Sequence, residues 1–216
     1  MQITQKVVTA AALVIGLLVP SAPTPAASAC EPFMQDRAAI TDVTLDVPRA
    51  SVITREVVSP PDSELIVIAK ESGLDADVVV SSGGKVLARG GSPISRTGIV
   101  RLAFKTAKAA KLSIQISSTG KDAGTGEMRV RAIAIGNDAL EDPCVQIQEG
   151  FAAADQAYSE GRTVTLGGSR EANTDAAHAY QSATDRYLQV VKMLEPSPAS
   201  ELEAYAEHSL AATFYD

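Results

Sequence analysis

From about residue 39 to residue 136, apolar side chains recur at every second position. Val43 and Leu45 lead into Val52 and Ile53, and Leu65, Val67 and Ala69 interleave with Ile66 and Ile68. Val78–Val80, Val86–Ala88, Val100/Leu102/Phe104, Leu112/Ile114/Ile116 and Met128/Val130/Ala132/Ala134 follow. A period of two puts one set of side chains on each face of a sheet. Turn formers separate the runs: Pro60-Pro61-Asp62-Ser63, Ser72-Gly73, Ser82-Gly83-Gly84, Gly90-Gly91-Ser92-Pro93 and Ser118-Thr119-Gly120. Seven or eight short strands with no helix between them predict an antiparallel β-sandwich, and Gly83-Gly84 predicts a tight hairpin.

After Gly136 the period becomes that of a helix. Asp142 is a cap, Pro143 suits the first helical position, and Ile147, Phe151, Ala154 and Tyr158 share a face. Gly161–Ser169 reads as a loop. In a second helix Ala176, Tyr180, Ala183, Tyr187, Val190, Val191 and Leu194 step by three and four until Pro196. Ser197-Pro198 opens a third, with Leu202, Tyr205, Ala206, Ser209, Leu210 and Phe214 inward. The chain reaches Asp216 in helical register without a capping glycine, so the native protein is expected to continue. The fold class expected is a segregated α+β chain: a signal peptide at 1–29, a sandwich at 30–138 and a helical region at 139–216.

The first residues change this picture. Lys6 precedes an apolar stretch, Val7–Val19, too short for a comfortable membrane span, and Ala27-Ser28-Ala29 matches a signal-peptidase site. Cleavage after Ala29 leaves Cys30 first. Export favours pairing it with Cys144, the other of the chain's two cysteines. A lipoprotein would also begin with Cys, but lipid-attachment sites usually carry Leu where Ala27 stands. The location expected is therefore periplasmic or extracellular.

The net charge of −7 becomes −8 once Lys6 is removed, which argues against nucleic acid and against anionic membrane surfaces. Cores of Val, Ile, Leu and Ala are expected, because Trp is absent and other aromatics are scarce.

The chemistry legible in the residues is sparse. His178 shares a polar helix face with Glu171, Thr174, Asp175 and Asp185, and His208 follows Glu201 and Glu207; both read as solvated surface. Asp75 and Asp77 offer two carboxylates at alternate positions, short of the six or more oxygens calcium wants. Gly167-Gly168-Ser169-Arg170 lacks the Gly-Lys-Ser/Thr ending of a phosphate loop. Lys105, Lys108 and Lys111 read as solvating a hairpin and guarding an edge, with use by an acidic partner as the alternative. Gly120–Glu127 reads as a flexible tip where ligand loops often sit. No catalytic residues, cofactor or metal are expected.

The stretch Ser63–Ala134 resembles the pre-peptidase C-terminal type of β-sandwich. The matching features are Gly-Leu-Asp-Ala-Asp (73–77) before a hydrophobic strand, Gly-Lys-Val-Leu-Ala (84–88) after a turn, and a strand ending in Phe104. Followed by alanine- and tyrosine-rich helices, it is similar to the N-terminal part of exported bacterial CHAT-domain proteins. Those join such a sandwich to tetratricopeptide-like helices and a caspase-like protease domain. The helices here lack the Trp-x-x-Leu-Gly start of a tetratricopeptide unit, and the protease domain has no counterpart. The resemblance implies a tetratricopeptide-like hairpin and a binding or accessory role, and it transfers no catalytic residues. The function expected is a non-enzymatic exported protein-interaction module with an unidentified protein partner. The alternative is the accessory front of a CHAT-type protease. A carbohydrate-binding sandwich is weakened by the missing aromatic platforms.

Overall fold

A computed structural model describes residue 30 and residues 34–118, 125–165, 170–194 and 201–213. Eight strands form two antiparallel four-stranded sheets. They are β1 (Ala39–Val47), β2 (Val52–Ser59), β3 (Ser63–Ser72), β4 (Ala76–Ser82), β5 (Lys85–Gly91), β6 (Ile99–Thr106), β7 (Ala110–Ser118) and β8 (Gly126–Gly136). The first sheet has the order β1-β8-β3-β6 and the second β2-β7-β4-β5. Three helices follow: α1 (Pro143–Thr165), α2 (Arg170–Leu194) and α3 (Glu201–Thr213).

Between the sheets, Leu65, Val67, Val78, Val80, Leu102, Ile114, Ile116 and Val130 form the main core. The inward parity of each strand is the apolar one, as the period-two pattern requires. β3 breaks that rule, with Ile66 as buried as Leu65 and Val67. Its second face is covered too: Ile66, Ile133 and Ile135 pack against Met34 and Val145. The first sheet is thus the middle of three layers, and a strand buried on both faces reads as a continuous apolar run. The second sheet turns its outer face, with Thr54, Glu56, Gln115 and Arg89, to solvent.

Gly83 and Gly84 take φ of +56° and +82°, the left-handed pair that a two-residue hairpin needs between β4 and β5. Asp142 caps α1 through its Oδ1, which accepts from the Cys144 N–H at 2.8 Å. Two expectations are corrected. The segment Gly161–Ser169 is not all loop, because α1 runs on to Thr165. Gly161 sits where α1 meets α2, and a Cβ there would come 2.9 Å from the Tyr180 ring. The glycine serves helix–helix approach and does not break the helix. Lys105 and Lys111 flank no hairpin, since β6 and β7 lie in different sheets. Lys105 faces Glu64 at 3.8 Å and Lys111 faces Glu56 at 2.8 Å.

The signal segment 1–29, the glycine run at 167–168, Pro196, Pro198 and Phe214 lie outside the described residues. So do residues 120–124 of the expected tip; Gly126 and Glu127 belong to β8. Among the described residues no helix is long and apolar enough to cross a membrane.

Candidate functional site: a basic pocket under the helical arm

The helical arm covers the free edge of β6. An edge strand presents unpaired N–H and C=O groups, which must be satisfied or blunted. The Tyr205 hydroxyl of α3 donates to the Ile99 carbonyl at 2.8 Å and accepts from the Ile99 N–H at 2.8 Å. Two residues on, the Arg101 N–H donates to Asp155 Oδ2 of α1 at 2.6 Å. Asp155 is fully buried, and its other oxygen accepts from the Tyr187 hydroxyl of α2. Burial pushes the Asp155 carboxyl up to about 7, against the opposing pull of Arg101.

Cys30 and Cys144 are joined by a disulfide, with Cα atoms 5.1 Å apart. Both sulfurs lie in the cluster that holds Ile147, Phe151, Tyr187 and Leu202 beneath the arm. The bond also secures the segment carrying Met34 and Gln35.

A second clamp lies at the far end of α1. Arg162 approaches Asp75 at 3.3 Å and Asp77 at 4.0 Å. The pair considered for calcium is therefore taken up by a guanidinium. Among the described residues no group of three or more ligands suits a metal. Nearby, Glu71 accepts from the Ala76 N–H at 2.9 Å, and burial pushes its carboxyl up to about 8. Arg162→Ala is expected to cost about 1–2 kcal/mol, because two half-buried carboxylates lose their counter-charge. Urea unfolding measures this, and added calcium should leave the midpoint of the unmutated protein unchanged.

A cavity of about 430 Å³ opens on the outer face of the first sheet. Two successive rungs of the ladder build its floor. In one, Asp42 faces Arg131, which faces Ile68, which faces Arg101 across β1, β8, β3 and β6. In the next, Thr44, Arg129, Lys70 and Ile99 line up the same way. Lys70, Arg101, Arg129 and Arg131 thus converge on a chain that is acidic overall. Lys70 stands directly opposite Arg129, and a like-charge cross-strand pair is destabilising unless something offsets it.

Asp42 offsets part. Its oxygens accept from Arg129 Nε and Nη2, both at 2.9 Å, and from Arg131 Nη1 at 2.8 Å. The hydrogen bond from Arg129 is the main reason its carboxyl lies below the usual range. Arg131 Nη2 also donates to the carbonyls of Gln35 and Arg37. Lys70 has no ion-pair partner among the described residues. Arg101 is 2% exposed, donates from Nε to Gln148 Oε1 at 3.0 Å, and leaves Nη1 without a partner among the described residues. Its guanidinium lies 4.2 Å from the Phe151 ring centre and 4.7 Å from that of Tyr205.

None of these cations stands out in the sequence. Arg129 and Arg131 share a parity on β8, but only strand order brings them beside Lys70 and Arg101. Asp155 carried a weak signal, four residues after Phe151 and three before Tyr158 on the apolar stripe of α1. His178 and His208 are both exposed, on different helices.

In sequence the chain matches no protein-family model and no curated protein. Similar solved structures include a periplasmic inhibitor of g-type lysozyme from Aeromonas hydrophila, at 12% identity. That match covers 47% of this chain and 90% of that one, with a TM-score of 0.36. Another is the pre-peptidase C-terminal domain of a collagenase from Bacillus anthracis: 9% identity, 43% and 87% covered, TM-score 0.34. A carbohydrate-binding module solved with calcium and xylotriose matches at 11% identity, 46% and 93% covered, TM-score 0.27. These likenesses are distant.

Proposed function

We propose that this chain is an exported, non-enzymatic interaction module that recognises an acidic protein segment through the basic pocket. One observation carries the reading. Four cations from three neighbouring strands surround an open cavity, with Asp42 as the carboxylate set among them. Such a field draws and orients anionic partners. The other buried ionisable groups support it indirectly: Asp155 and the Arg162 cluster hold the helices to the sheets. The disulfide and the leader-like first residues support export. Protein is favoured over nucleic acid because the chain is acidic overall.

Fluorescence anisotropy with labelled peptides tests this. An acidic peptide alternating Glu and Leu should bind at low salt and weaken strongly at about 0.5 M salt, where charges are screened within a few ångströms. A Lys-for-Glu version should not bind. The double variant Lys70→Glu/Arg129→Glu, at exposed positions, should abolish binding while the protein stays folded. Equal binding of both peptides, or of the double variant, would refute the reading.

A further inference from the structure

Resting on that reading, we infer that the pocket's specific ligand is a carboxylate carried beside an apolar side chain, held by Arg101 and Lys70.

Lys70 and Arg101, the two pocket cations without an ion-pair partner among the described residues, are neighbours. Lys70 pairs in register with Ile99 on β6, and Arg101 is two residues further along the same strand, on the same face. Arg129 and Arg131 are already engaged by Asp42, so their role is to set the field. Arg101 differs in two ways: it is almost wholly withdrawn from water, and its plane is held by two rings and Gln148. Its Nη1, like Nε of Arg131, is a buried donor without a partner among the described residues. A buried donor left unpaired is costly, and native structures keep one where something else completes it.

The buried Asp155 carboxyl is not that partner: its oxygens accept from the Tyr187 hydroxyl and the Arg101 backbone N–H, and Arg101 Nη1 makes no hydrogen bond to either. Burial also holds that carboxyl largely protonated below neutrality, so it does not fully cancel the guanidinium. A guanidinium with a fixed plane matches a planar carboxylate, which takes two parallel hydrogen bonds.

The remaining walls decide against a bare oxyanion. Ile68 and Ile99, both half-buried, line the same cavity beside the buried Met34 and Leu202, and they would stay wetted next to phosphate or sulfate. An apolar group next to the carboxylate would cover them and gain in proportion to the area removed from water. The volume is that of a small-ligand site, room for one or two residues of a partner rather than a folded surface.

Titration calorimetry on the oxidised chain tests the assignment with four probes. These are N-acetyl-leucyl-glutamate, its diamide, N-acetyl-glutamate and inorganic phosphate. The first should bind, and the other three should each be weaker by about tenfold or more, the worth of one charge-assisted hydrogen bond or one covered aliphatic side chain. Arg101→Lys keeps the charge but removes the fork, and should weaken the dipeptide about tenfold while changing phosphate little. Because Arg101 also stacks on two rings, Lys70→Glu supplies an independent check at an exposed position, and it should weaken the dipeptide as much. Phosphate or the diamide binding as tightly as the dipeptide would overturn this inference and leave the pocket as an anionic or apolar site of another kind. Dipeptide binding unchanged by Lys70→Glu would overturn it as well. Failure of every probe, together with failure of the long acidic peptide, would overturn the proposed function too.

Discussion

Breaking the Cys30–Cys144 bond, by replacing both cysteines with Ser or by adding a dithiol, is expected to lower stability by about 4–5 kcal/mol. The bond closes a loop with a sequence separation of 114, so in the chain-entropy model its removal releases a large set of unfolded conformations. For a chain of this size the melting temperature should fall by about 10–15 °C. Melting followed by circular dichroism with and without reductant measures it, and coincident curves would show that the bond contributes nothing. The loss is also local. Both cysteines lie in the cluster beneath the arm, and the segment after Cys30 supplies Met34 to the pocket and backbone carbonyls to Arg131. Limited proteolysis should therefore cut first before β1 once the bond is gone.

Stability is expected to fall as pH rises from about 4 to about 8, the reverse of most proteins in the acid half of that range. Burial raises Asp155 to about 7 and Glu71 to about 8. Burial, then the facing Glu149 carboxyl, raises Glu64 to about 7. Unfolded carboxyls lose their protons near pH 4. Between those values the folded state holds protons that the unfolded state has released, so each step up in pH favours unfolding. Below about pH 4 both states are protonated, and above about pH 8 both are ionised, so the effect is confined to that window. For Asp155, raised from 3.8 to about 7, it is on the order of 4 kcal/mol. Asp42 acts oppositely: its lowered pKa contributes stability that is lost only below the ordinary carboxylate range. Urea midpoints at pH 5 and pH 8 measure the slope. Asp155→Asn should flatten it, because an amide never ionises; its one oxygen can accept from Tyr187, and the Arg101 N–H then loses its acceptor, so the variant is less stable at every pH. A slope unchanged in that variant would assign the effect to Glu71 and Glu64.

Local pattern was enough for the eight strands, the Gly83-Gly84 hairpin, the Asp142 cap and the apolar stripe of α2, because each rests on neighbours within one or two turns of chain. The end of α1 escaped the same logic. Gly161 is a breaker by propensity, yet the Tyr180 ring across the helix pair makes a side chain there the greater cost. The link between β6 and β7 misled for a related reason: consecutive strands can pair or can cross to the other sheet, and turn residues look alike in both cases.

What the chain's residues determined is its period, its cysteine count and its acidic balance: strands before helices, and a bridge from Cys30 to Cys144. What only the tertiary structure decided is where charge gathers. Lys70, Arg101, Arg129 and Arg131 are spread over more than sixty positions. Strand order and register alone set them on two rungs of one face, under helices that wall the site and leave Arg101 Nη1 unpaired among the described residues. Register is a long-range property, fixed by packing on both sides of the first sheet, and no window of local sequence contains it.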